Sequence, residues 1–428
     1  MLPITVCNGK RERAVFDHLK ARGGEADARV AASVREIIAE VKARGDEALR
    51  EYTLRFDKAD LARIEVSPAE MEAAAAKCDP AFIAALERVS ENIRDFHARQ
   101  LRQSWFTTGE HGVMLGQRVR GLRRVGVYVP GGTAPLPSSV LMNAIPAKIA
   151  GVGEIIMATP PWKGSASPEI LAAARIAGVD RVFLVGGAQA VAAMAYGTGT
   201  IPGVDKIVGP GNIYVATAKK LLYGVVDIDM IAGPSEILVI ADETARPAWL
   251  AADLLSQAEH DALASAILLT SSQAVAEATV RELELQWSRL PRKEIAEQAL
   301  KSFGAVFVCE SVEQAIQYAN DFAPEHLELC VANPMDWLGA IDNAGSVFLG
   351  HYTPESVGDY FAGPNHVLPT GGTPRFFSPL SVDDFIKKTQ FISYTRPALE
   401  AALGDIVTIA EAEFLQAHAN AAKIRFEG

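Results

Sequence analysis

The chain has 428 residues, 49% of them hydrophobic and 22% charged, with a formal net charge of −11. That length exceeds one ordinary core and predicts two or three domains, and the composition is that of a folded globular protein. An acidic surface repels a phosphate backbone, so nucleic acid is not an expected partner; nor is a membrane, because no apolar stretch approaches the roughly 18 to 20 residues of a span.

Along the chain, Val30, Val34, Ile37, Ile38 and Val41 recur at helical spacing and predict a helix over 26–43, broken by Gly45 and restarted at Asp46. Ser67, Pro68 and Glu70 supply an N-cap, a first-turn proline and an N3 acid, a strong helix start. A longer helix follows Asp79-Pro80 and runs towards Arg102. From about Arg123 the pattern changes. Short β-rich runs at 125–129, 155–158, 182–185 and 237–241 alternate with helical stretches such as 139–149 and 188–196. The alternation resumes after a helix over 248–259, with runs at 267–269, 305–308, 327–331 and 346–349. Such alternation predicts parallel βαβ units.

The expected fold is therefore α/β: two Rossmann-like parallel-sheet domains, one inserted in the other, with N-terminal helices and a C-terminal helical tail. The expected division is an α/β domain over 1–127 and 237–379, an inserted domain over 128–236, and a tail over 380–428 that docks on a second subunit. That tail carries few strand signals and a final helix over 409–424. The first ten residues lack the apolar run of a signal peptide, and Cys7, Cys78, Cys309 and Cys330 are too widely spaced for a Cys-x-x-Cys pair. Reduced thiols in a cytoplasmic protein fit that usage, with Cys309 and Cys330 packed in strands.

Four glycine-rich turns fall within about a hundred residues: Val129 to Thr133, Val185 to Gln189, Val208 to Asn212 and Ala232 to Glu236. Glycines let a backbone approach a phosphate, and helix N-termini favour anions, so the turns suggest a ligand crevice at the carboxyl ends of parallel strands. None is a G-x-G-x-x-G fingerprint, and each singly is equally a tight βα turn. Of the eight histidines, His260, His326, His351, His366 and His418 fall late in the chain. Gln257 and His260 stand at i and i+3 on one helix and are able to share a metal, although such a pair is more often a solvated polar face. Glu325 and His326 precede a strand, where an adjacent acid and imidazole divide proton transfers. Asp359 and His366 lie in a long Gly/Pro-rich segment with little helical or strand signal, the kind of loop that is usually functional. Glu413 and His418 sit five residues apart on the last helix, off a common face, and read as surface polarity by themselves.

Together, Ser256-Gln-Ala-Glu-His260, Ala323-Pro-Glu-His-Leu327, Gly358-Asp-Tyr, Gly363-Pro-Asn-His-Val-Leu-Pro-Thr-Gly-Gly372 and Glu413-x4-His418 resemble the histidinol dehydrogenase family, in motif order and over nearly the whole chain. The resemblance implies oxidation of L-histidinol through L-histidinaldehyde to L-histidine, with NAD used twice. It implies one zinc ion per subunit held by Gln257, His260 and Asp359, with His418 supplied by the other subunit of a homodimer. Glu325 and His326 match the catalytic pair: the histidine as base in both oxidations, the glutamate as activator of water. Ser235, His366 and Glu413 match substrate contacts beside Gln257, His260, His326, Asp359 and His418; Tyr128, Gln189 and Asn212 match contacts to NAD. Phe414 departs from the pattern, because a glycine is expected after Glu413.

The chemistry is consistent with that division. Hydride removal from an alcohol carbon needs a base for the hydroxyl proton, and the second oxidation needs a hydrated aldehyde. No cysteine lies in these motifs, so a covalent thiol route is not expected. Rival readings are a zinc hydrolase on an α/β scaffold, which leaves the glycine-rich crevice unused, and a dehydrogenase of another amino alcohol. A non-catalytic binding protein leaves the convergence of ionisable groups unexplained.

Overall fold

The computed structural model describes residues 2–9, 11–20, 28–131, 135–231 and 233–427. Ala26 at the expected helix start, Gly132 and Thr133 of the first glycine-rich turn, and Ala232 of the fourth lie outside them. The chain forms two compact units, Met1–Gln100 with Leu122–Phe385, and Leu101–Gly121 with Ile386–Gly428.

The larger unit holds two six-stranded sheets. In the first, the strand order is Glu65–Val66, Arg181–Leu184, Glu154–Thr159, Arg124–Tyr128, Lys206–Val208, Asp227–Ile228, parallel except for the short edge strand Glu65–Val66. The second runs Ile4–Val6, Gly304–Val308, Ser265–Thr270, Glu236–Ala241, His326–Cys330, Ser346–Leu349 and is parallel throughout. Both have the doubly wound plan. Apart from the early edge strands Glu65–Val66 and Ile4–Val6, each sheet is begun at a central strand (Arg124–Tyr128; Glu236–Ala241), wound outward, then continued on the other side of that strand. The central strands are buried on both faces, which is why they read as continuous apolar runs.

The expected helix starts hold. Ser67 accepts from the Glu70 backbone N–H while the Glu70 side chain reaches back to the cap, and Asp79 caps the helix Pro80–Ala98. Helix Ala28–Arg44 buries Val34, Ile37 and Val41, and with Leu49 and Tyr52 of the next helix these pack against Phe183, Val191 and Met194 of the first sheet's layers. Strand Ile4–Val6, by contrast, joins the edge of the second sheet. Cys309 and Cys330 are buried, as expected for packing residues, Cys330 in its strand and Cys309 just past one; Cys7 is buried as well.

The smaller unit differs from the expected helical tail. Ile386–Ser393 is a strand that pairs antiparallel with Met114–Gly121, which in turn pairs with Trp105–Thr108. Most of its side chains are exposed, so the inside–outside alternation that flags a strand is missing. Two helices follow, Arg396–Ala412 and Gln416–Lys423, where one was expected. Among the described residues no helix is long and apolar enough to cross a membrane.

Candidate active site

Strands Glu236–Ala241 and His326–Cys330 lie side by side, with Ile237 opposite His326. Their amino ends carry acids where an apolar strand begins. The Glu325 carboxylate accepts from the Glu236 backbone N–H at 2.8 Å, and the Glu236 carboxylate accepts from the Glu325 N–H at 3.3 Å. The His326 Nδ1 bonds the Glu236 carbonyl at 2.9 Å; because a carbonyl only accepts, Nδ1 carries the proton and Nε2 the lone pair. Nε2 is buried and has no hydrogen-bond partner. It faces the Glu355 Oε1 at 3.7 Å, and Glu325 Oε2 lies 3.7 Å from Nδ1. Phe348 covers the ring, with centroids 5.9 Å apart.

Burial dominates the electrostatics. It holds the His326 imidazole down at about 4, so the ring is neutral near pH 7. It pushes the Glu325 carboxyl well above the usual carboxylate range, with the negative charges of Glu236, Glu355 and Asp359 adding to it. Glu355 is pushed up to about 8 by burial and by Asp359.

The expected metal residues converge in part. The ligand atoms of His260, Glu355 and Asp359 all lie within 4.8 Å of one another. Gln257, in the last turn of helix Pro247–Ala258, is fully buried, and neither polar atom of its side chain has a hydrogen-bond partner. His260 lies just past that helix rather than on it, with its N–H bonded to the Gln257 carbonyl at 3.2 Å. An orphaned buried carboxamide three residues before the histidine of an imidazole–carboxylate cluster fits a borderline divalent ion such as zinc. Asp359 is not in a loop: it belongs to a short helix, Glu355–Tyr360. His366 bonds the Asp359 carbonyl through Nδ1 at 3.2 Å. Ser235 precedes Glu236 at the same strand end. Glu413 and His418 belong to the smaller unit, where both are exposed.

The residues expected at NAD lie at the carboxyl ends of the first sheet. Tyr128 ends its strand, and its buried hydroxyl accepts from the Gly187 N–H at 3.0 Å. A Cβ at Gly187, whose φ is +64°, meets the Gln189 carboxamide at 2.7 Å, so the turn and that side chain are closely fitted. Asn212 caps helix Ile213–Leu222, with Oδ1 accepting from the Tyr214 and Val215 N–H groups. The Gly209 turn passes so near the Tyr128 carbonyl that a Cβ lies 2.1 Å from its oxygen. These features flank the point where the chain switches sides of its first strand, the usual ligand position in open α/β sheets. The fourth glycine-rich turn corrects the sequence expectation: Gly233 to Ser235 lead into the amino end of a strand, not out of a carboxyl end.

Sequence reasoning missed Glu236 and Glu355. An acid heading a run such as Glu-Ile-Leu-Val-Ile-Ala is a usable signal, since a buried charge needs a reason. Glu355 stands four residues before Asp359, on one face of a helix whose six residues are too few to show periodicity.

The family model for histidinol dehydrogenase matches residues 20–426. A histidinol dehydrogenase of Clostridium acetobutylicum is 56% identical over 413 residues, covering 96% of both chains, and one of Geobacter metallireducens is 55% identical over 416 residues, covering 96% of this chain and 95% of its own. The crystal structure of histidinol dehydrogenase from Elizabethkingia anophelis superposes with a TM-score of 0.94 at 41% identity, covering 100% of this chain and 98% of that one. Similarity of that depth runs through both sheets and the tail, and the chain belongs to the histidinol dehydrogenase family, oxidoreductases of histidine biosynthesis.

Proposed function

We propose that the site around His326 performs both NAD-linked oxidations that convert L-histidinol through L-histidinaldehyde to L-histidine. One observation carries the reading: a buried imidazole, neutral and held by one nitrogen, whose other lone pair has no partner. That lone pair takes the substrate hydroxyl proton as the carbonyl forms. Glu325, held by the Glu236 N–H and pushed up by burial, takes a proton from the water that adds to the aldehyde. His326 then serves again for the hydrate.

Gln257, His260 and Asp359 would hold zinc, with His418 of the partner subunit, while Ser235, His366 and Glu413 orient the substrate. Tyr128, Gln189 and Asn212 would line the NAD crevice. When bound, the ion anchors the substrate's imidazole and amine, and NAD accepts the hydrides. A homodimer with shared sites is supported by the smaller unit's exposed apolar side chains, among them Trp105, Phe106 and Ile392. Four free cysteines fit a cytoplasmic location.

Incubation with L-histidinol, NAD and zinc at alkaline pH is expected to give two NADH per histidine formed. Absence of NADH under those conditions refutes the proposal.

A further inference from the structure

Glu355 has no role in the chemistry above, yet it is 2% exposed at the heart of the site. Its two carboxylate oxygens are treated unequally. Oε2 accepts from the Ser256 hydroxyl at 3.1 Å, and the residue's backbone N–H is fixed on Glu328 Oε1 at 2.8 Å. Oε1 is buried, has no hydrogen-bond partner, and lies 3.7 Å from His326 Nε2, which also has none. A merely structural acid would be satisfied at both oxygens or replaced by an apolar side chain, since an orphaned buried oxygen costs about 1–3 kcal/mol.

We propose that Glu355 is the positioning residue for the catalytic base: its Oε1 is the fixed partner of His326 Nε2, steadying the ring's reactive edge and, in the carboxylate form, the positive charge the ring acquires on taking the hydroxyl proton. This rests on His326 being that base. The Nδ1 side is already tied to a neutral carbonyl, which fixes the tautomer but offers little to an imidazolium. The compensating charge therefore comes from the Nε2 side, in a low-dielectric pocket where a preorganised partner acts most strongly. Ser256 and the Glu328 bond aim the carboxylate. The reaction uses the same lone pair twice, so an imidazolium must form twice without the ring turning away.

The alternative is that Glu355 is a further metal ligand, since its carboxylate is also within 4.8 Å of the His260 and Asp359 ligand atoms. The two roles separate in one experiment on the full-length zinc-loaded enzyme. For Glu355→Gln, zinc per chain is expected to equal wild type and KM for L-histidinol to stay within about threefold. Its kcat should fall on the order of 100-fold. Glu355→Asp should recover part of kcat and move the acidic limb of its pH profile. On a His326→Asn background, Glu355→Gln should add less than about threefold, because the acid acts through the ring.

Zinc lost together with activity makes Glu355 a ligand and overturns the proposal. So does a kcat within about threefold of wild type, or an undiminished effect in the double variant. If Glu355→Gln fails to fold, Glu355→Asp decides: wild-type kcat and pH profile refute the role. Unchanged turnover in His326→Asn instead defeats the reading of His326 as base, whereas an inactive His326→Asn beside a normal Glu355→Gln defeats only this one.

Discussion

Replacing Phe414 by glycine should stabilise the protein. Helix Arg396–Ala412 ends with Glu413 as its cap, and Phe414 follows at φ +60° in the left-handed region, with 85% of its surface exposed. A residue with a Cβ incurs about 1–2 kcal/mol there, whereas glycine does not. Glycine returns about 0.5–1 kcal/mol of that through its freer unfolded chain. The net expected gain is about 0.5–1 kcal/mol, read as a higher urea midpoint at fixed protein concentration. Phe414→Ala is the control, because alanine removes the ring but keeps the strained backbone. A glycine variant no more stable than the alanine variant refutes the strain argument, and an alanine variant less stable than wild type assigns the ring a contact. Since the strained residue sits between Glu413 and His418, both variants should also be assayed for KM.

Other outcomes test other parts of the molecule. His260→Ala should lose zinc and activity together, measured as metal per chain and turnover. In a verified heterodimer of His260→Ala and His418→Ala chains, one of the two shared sites keeps both histidines, so activity should reappear; none would refute sharing. Gly209→Ala places a Cβ 2.1 Å from the Tyr128 carbonyl oxygen at a φ of +111° and should destabilise by about 3 kcal/mol or more, with NAD binding weakened, seen by thermal unfolding and cofactor titration. Asp57 has a buried Oδ2 without a partner, and burial raises its carboxyl above the ordinary range. The folded state then holds that proton more tightly than the unfolded chain, so this group lowers stability as pH rises from the ordinary value of about 3.9 through the raised one. Asp57→Asn should remove the decline: more stable than wild type at pH 8, with the difference shrinking towards pH 4. A pH-independent difference contradicts this.

Much of the fold was legible because its central strands are buried on both faces and its helices are capped by side chains near in sequence, as at Ser67 and Asp79. Strand Ile386–Ser393 was not legible, because its partner lies some 270 residues away at Gln117 and its exposed side chains leave no alternation. In the active site, each motif alone supported only a possible metal face or acid–base pair, and the family resemblance joined them. What neither spacing nor resemblance supplied was the environment: the Glu236 carbonyl that fixes the His326 tautomer, and the carboxylate on the ring's other side. Those contacts depend on register between strands about 90 residues apart, which no local pattern encodes. The oddity at Phe414 was visible in the sequence, but its cause, a left-handed backbone, was not.

The two sheets present opposite ends to their candidate ligands, and the dipoles of the flanking helices make that a sorting device. Gln189 and Asn212 stand where helices Gly187–Tyr196 and Ile213–Leu222 begin, and Tyr128 is bonded to the first of these starts, so the partial positive charge of two helix N-termini lies at an edge that suits a dinucleotide's phosphates. Helix Pro247–Ala258 ends at Gln257 and His260, and helix Val312–Phe322 ends just before Glu325, so the second sheet offers carbonyls and partial negative charge. That edge favours a divalent cation and a protonated amine and disfavours a stray anion. Backbone polarity would thus favour an anionic cofactor at one edge and a cationic substrate and ion at the other.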